Sequence, residues 1–112
     1  MALFRNMKTK ITVFQKLKMY AVVFEACAYY NIDTGELMAG NRLRVYCEAR
    51  QVCIYVAVKN KICAPGIVAD FFEKDHSIVS KAILKINALL SINDKTVISA
   101  IAEINKNTNH ED

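Results

Sequence analysis

Very few residues in this chain can stop a helix: its 112 positions include one proline and three glycines, and no Ser/Gly-rich stretch divides it. Proline and glycine are the strongest punctuators of local structure, so a chain this poor in them reads as helices joined by short turns. With 54% apolar residues the chain has ample material for one buried core, which favours a single domain. The expected fold class is all-α, a compact bundle of about six helices. Residues 11–105 would form the domain, with a basic segment at 1–10 and a polar tail at 106–112.

Apolar spacing places the helices. Phe14, Leu17, Ala21, Phe24 and Ala28 recur every three or four residues, predicting a first helix from about residue 11 to 30 with a basic start that frays. Asp33-Thr34-Gly35-Glu36 has capping-box spacing and opens a short helix ending at Gly40. From Arg44 to about Asn60, Val45, Ala49, Val52, Cys53 and Val56 form one stripe that Tyr46, Ile54, Tyr55 and Ala57 widen, the pattern of a central helix packed on several sides. Pro65 suits a first helical turn, and Ile67, Val68, Phe71 and Phe72 give that helix its apolar face. Glu73 and Lys74 then make a tight turn before Asp75, an N-cap type, and the next helix turns Val79, Ala82, Ile83, Ile86 and Leu90 to the core. Two helices so closely joined are a helix-turn-helix candidate. A last helix from about Asp94 to Asn105, with Val97, Ile98, Ile101 and Ile104 inward, closes the bundle.

The net charge of +4 is mild, but it is unevenly spread. Residues 1–18 carry five positive and no negative side chains, and residues 42–85 carry eight positive against four negative, while the other two stretches are net acidic. Such stretches suit a polyanionic partner or simply a solvated surface. Cys27, Cys47, Cys53 and Cys63 form no CxxC pair, so buried reduced thiols are expected rather than a metal site. The chain shows no signal-peptide pattern and no run of 18 apolar residues to enter a membrane, so a cytoplasmic, nucleoid-associated location is expected.

Asp75, His76 and Ser77 have the composition of a hydrolase triad. Consecutive helical residues point about 100° apart and form no hydrogen-bond relay, and no GxSxG elbow or glycine-rich phosphate loop occurs, so no catalysis is expected. The bland reading makes Asp75 a cap and His76 a solvent-facing residue. The alternative is a reading edge: a helix N-terminus favours phosphate, His and Ser reach base edges, and Lys74, Lys81 and Lys85 supply backbone charge.

Arg50-Gln51 with VCIYVAV, then CAPGIVADFF, then KDHSIVSKAILKI resembles the C-terminal DNA-binding domain of the bacterial chromosomal replication initiator DnaA, and YYNIDTGELMAGNRLR is similar to the family's short helix and basic loop. The likeness covers about residues 19 to 105. It implies that Asp75, His76 and Ser77 touch bases in the major groove, that Arg42 enters the adjacent minor groove, and that Pro65 approaches the DNA. It further implies phosphate contacts from Lys74, Lys81, Arg50 and Gln51, with Arg44 and Lys85 joining them. The partner would be double-stranded DNA, with no nucleotide cofactor or metal and a replication or regulatory protein as a further partner. Three positions depart from the family pattern: Phe72-Glu73 stands where Gly-Gly is usual, Val68 replaces a glycine, and Ile78 replaces a threonine. Because Glu73 sets a negative charge where a phosphate would lie, a second reading stays open, a protein-interaction module that keeps the fold without the specific reading.

Overall fold

A computed structural model describes residues 11–108, and these form six helices with no strand among them: α1 (Val13–Tyr30), α2 (Thr34–Met38), α3 (Arg44–Lys59), α4 (Pro65–Phe71), α5 (Ser77–Ser91) and α6 (Lys95–Thr108). The expected all-α bundle is what the chain forms. The basic segment 1–10 and the last four residues of the polar tail lie outside the described residues.

Helix α3 is the hub. Ala49, Val52, Cys53, Ile54, Val56 and Ala57 are all at most 1% exposed, and α3 packs against each of the other five helices. Its side chains therefore meet Met19, Val22, Val23 and Ala26 of α1, Val79, Ala82 and Ile86 of α5, and Val97, Ala100 and Ile104 of α6 in one core. Polar ties fix the outer helices to it. The Tyr30 hydroxyl donates to Glu48 at 2.8 Å, and Asn60 donates to Asn105 at 2.9 Å. Burial, with the Glu48 partner adding to it, pushes the Tyr30 phenol well above its ordinary range.

Helix ends explain how a chain poor in glycine turns so often. Asn31, Lys61, Glu73 and Asn93 all adopt left-handed φ between 56° and 58°, just past α1, α3, α4 and α5. After each, the following amide reaches back to a carbonyl of the last turn: Ile32 to Cys27, Ile62 to Ala57, Lys74 to Ala69 and Asp94 to Leu89. This is the closure glycine usually provides; asparagine tolerates it, whereas Lys61 and Glu73 adopt it against their own preference.

Several boundaries differ from expectation. The start of α1 does not depend on its basic residues, because Thr12 and Gln15 form a complete capping box that holds it. At α2 only half a box forms: Asp33 accepts from the Glu36 amide at 2.8 Å, while the Asp33 amide donates instead to the Tyr46 hydroxyl at 3.3 Å. Helix α6 runs to Thr108, taking in three residues expected in the tail, and Asn107 ties back to Glu25 at 2.8 Å. Cys27, Cys53 and Cys63 are buried free thiols, pushed up by burial and so protonated at neutral pH, but Cys47 is only half-buried. No helix of the described residues is long and apolar enough to cross a membrane.

Candidate nucleic-acid interface

Helices α4 and α5 are joined by Phe72–His76, and the conformation of that turn decides what the tip of α5 presents. Glu73 in the left-handed region reverses the chain, and Lys74 donates back to Ala69. Asp75 does not cap the helix through its side chain. His76 occupies the N-cap position with helical φ and ψ and makes no side-chain cap, while the amides of Ile78 and Val79 donate to the carbonyls of Asp75 and His76. The helix end thus satisfies those two amides internally, and what it turns outward is the side chains of Asp75, His76 and Ser77, all exposed.

His76 is held rather than free. Its Nε2 lies 3.0 Å from a carboxylate oxygen of Asp70, and its ring lies over Gly66, where an added Cβ would meet the ring at 3.1 Å. Gly66 and Asp70 are one helical turn apart on α4, so together they make a seat for the imidazole: open space at one position, an acceptor at the next. Neither residue was among the expected site residues.

The expected cations fall into two connected groups. Lys74 extends its amine beside Gly40, where an added Cβ would meet it at 3.4 Å, so the α4–α5 turn lies against the loop that carries exposed Arg42. Along the crease between α3 and α5, Arg44, Gln51 and Lys85 line one groove of about 180 Å³, and Gln51 and Lys81 line the next, also about 180 Å³. Gln51 belongs to both, which makes the crease one continuous face. Glu48 and Asp94 also border it and Ile78 fills part of its floor. Pro65 stands exposed at the start of α4.

Arg50, expected with its guanidinium on a phosphate, sits in the middle of α3 and is only 5% exposed. One terminal nitrogen donates to the carbonyls of Leu37 at 2.9 Å and Asn41 at 3.0 Å, and Nε is buried without a partner. That one nitrogen ties together the two ends of the loop between α2 and α3. It therefore holds in place the segment from which Arg42 projects.

A short helix and a longer one joined by a tight turn, with the second helix's exposed tip flanked by cations, define a helix-turn-helix DNA-binding domain. The bacterial DnaA protein helix-turn-helix family matches residues 8–86, and the chain belongs to that family. It is similar to the chromosomal replication initiator protein DnaA of Cutibacterium acnes, 29% identical over 84 residues, covering 74% of this chain and 17% of that protein. It is similar also to the chromosomal replication initiator protein DnaA 1 of Chlamydia pneumoniae, 26% identical over 94 residues, covering 84% of this chain and 20% of that protein. The chain thus spans a fifth or less of the length of these relatives.

Proposed function

We propose that this protein binds specific sites in duplex DNA, reading the major groove with Asp75, His76 and Ser77 and the adjacent minor groove with Arg42. Pro65 approaches the DNA at the start of α4, while Lys74, Lys81, Lys85, Arg44 and Gln51 meet phosphates. The observation that carries this reading is the continuity of one face: the exposed α5 tip, the Lys74 amine beside Gly40, and the α3–α5 crease. Base contacts specify and phosphate contacts position, so the two sets respond differently to substitution. The named relatives support initiator-type sites, in the initiation of chromosome replication, as the sites it reads.

The test is binding to an initiator-type duplex and to a scrambled duplex at several salt concentrations. His76→Ala and Asp75→Ala are expected to lose about 1–3 kcal/mol on the specific site and little on the scrambled one. Lys81→Ala is expected to weaken both alike and to lower the salt slope by about one. Equal, weak binding of both duplexes by the unaltered protein would dispose of the specific reading and leave the protein-interaction reading, which the seat of His76 on Asp70 favours because it restrains the ring.

Glu73 gives a second, opposite-signed test. A glycine there removes a left-handed non-glycine residue, at the cost of added chain entropy in the unfolded state, so Glu73→Gly should leave stability within about 1 kcal/mol of the parent. It also removes a negative charge beside the α5 tip. DNA affinity should rise at low salt, measured by fluorescence anisotropy, with the gain shrinking as salt increases.

A further inference from the structure

Helix α1 is apolar on two faces, and the core uses one. Met19, Val22, Val23, Ala26 and Cys27 are buried. On the other side Val13, Phe14, Leu17 and Phe24 are 77%, 68%, 63% and 55% exposed, and Ala21 and Ala28 lie in the same stripe. At 100° per residue these six fall within an arc of roughly 100° centred opposite the core face. A helix apolar all round is normally covered on both sides, and a contiguous exposed apolar stripe marks an interaction surface.

The pattern along the stripe identifies its occupant. It is nearly palindromic about Ala21: Phe14 and Ala28 lie seven residues either side, and Leu17 and Phe24 four before and three after. A second copy of the helix running antiparallel would set Phe14 against Ala28, Leu17 against Phe24, and Ala21 against Ala21 at the centre, where small side chains allow close approach. Charge selects the direction. Lys18 and Glu25 flank the stripe on one side, and two-fold antiparallel pairing places each Lys18 beside the other copy's Glu25. Parallel pairing about a two-fold along the helices would put the two copies' Lys18 and Glu25 on opposite flanks, where they form no such pairs. Lys18 lies 4.9 Å over the Phe14 ring, and one Glu25 oxygen accepts from Asn107, while the other accepts no hydrogen bond among the described residues.

We propose that two copies of this protein associate through the outer faces of α1, antiparallel about Ala21, with reciprocal Lys18–Glu25 pairs fixing the orientation. The self-complementary stripe is what an isologous two-fold interface requires. The exposed pairs set orientation more than strength, which comes from the Phe14, Leu17 and Phe24 contacts. A chain of ring contacts runs from Phe24 to Tyr20 to Phe71 to Phe72, so the interface backs directly onto α4 of the helix-turn-helix. A dimer of this form carries two reading tips related by a two-fold axis and suits inverted DNA sites.

Sedimentation equilibrium of the full chain, from micromolar to submillimolar concentration, tests this. The expected mass is that of two chains at the upper end, with Leu17→Glu and Phe24→Glu each raising the dissociation constant at least roughly tenfold. Leu17 is exposed and outside the ring contacts, so circular dichroism of the Leu17→Glu monomer should show the helical fold retained. Lys18→Glu and Glu25→Lys should each weaken the dimer, and the two together in one chain should restore it. A single-chain mass throughout would overturn the proposal, as would a dimer indifferent to Leu17→Glu. Failure of the paired charge reversal to restore association would overturn the antiparallel arrangement. DNA binding by a monomer would stand untouched, because the reading tip lies on α5.

Discussion

Arg50→Met is expected to lower folding stability by about 3 kcal/mol, a fall in melting temperature of roughly 10–20 °C. The guanidinium makes two charge-assisted bonds to main-chain carbonyls of the α2–α3 segment, and methionine removes both, leaving the carbonyl of fully buried Leu37 with only its 3.2 Å bond from the Gly40 amide. Against that loss stands a gain, since the change also removes a buried charge and the unpartnered Nε, which is why the net effect falls below the sum of the two bonds. Arg50→Lys should recover less than half, because the lysine stem is one bond shorter and does not carry its ammonium to the position from which one Arg50 nitrogen meets both carbonyls. The alternative role, a phosphate ligand, predicts something quite different: unchanged melting and a salt slope lower by about one. Thermal melting with binding isotherms at two salt concentrations separates them. Where enough folded protein remains, DNA affinity should also fall, because the loop that loses its tie carries Arg42.

Arg50 also shows what a sequence reveals and what it conceals. A match to a family pattern aligns a residue with a role, but whether an arginine reaches outward or inward depends on where the fold sets main-chain acceptors around it, here the carbonyls of Leu37 and Asn41, 13 and 9 residues away and beyond the reach of helical spacing. The local features were legible for the opposite reason. The start of α3 at Arg44, the place of Pro65 in the first turn of α4 and the cap that Asp94 gives α6 each depend on residues within one helical turn. The breadth of α3's apolar surface likewise announced a central helix.

Two kinds of feature were not legible. In α1 both faces are apolar, so spacing established a helix but not its orientation; the stripe through Phe14, Leu17 and Phe24 proved to be the outer one. Helix ends at Lys61 and Glu73 carry no glycine signal, since the closing backbone bonds hold them in a left-handed conformation those residues do not favour. The seat of His76 did have a signal in the sequence. Gly66 and Asp70 lie four residues apart on an otherwise apolar short helix, a gap and an acceptor on one face, opposite the only histidine of the helix-turn-helix.

Ile86→Ala is the other substitution with a large expected effect, and its value lies in where the cavity would open. Ile86 is fully buried beneath the middle of α5, on the face that meets α3, so truncation removes three carbons from a packed contact that main-chain atoms on both sides keep from collapsing. The expected cost is about 2–5 kcal/mol, against less than about 0.5 kcal/mol for Leu84→Ala, two residues away on the same helix but 70% exposed. Chemical denaturation of both variants, with an unchanged denaturant slope, gives that comparison directly. The consequence for DNA follows from the same geometry. Asp75, His76 and Ser77 are aimed by the axis of α5, and α5 is aimed by Val79, Ala82 and Ile86 against α3. Loosening that contact should weaken discrimination between specific and scrambled duplex more than total affinity, because phosphate contacts tolerate a small displacement of the helix and base-edge hydrogen bonds do not. If Ile86→Ala weakened both duplexes equally after correction for the unfolded fraction, the tip of α5 would not be what tells one DNA sequence from another.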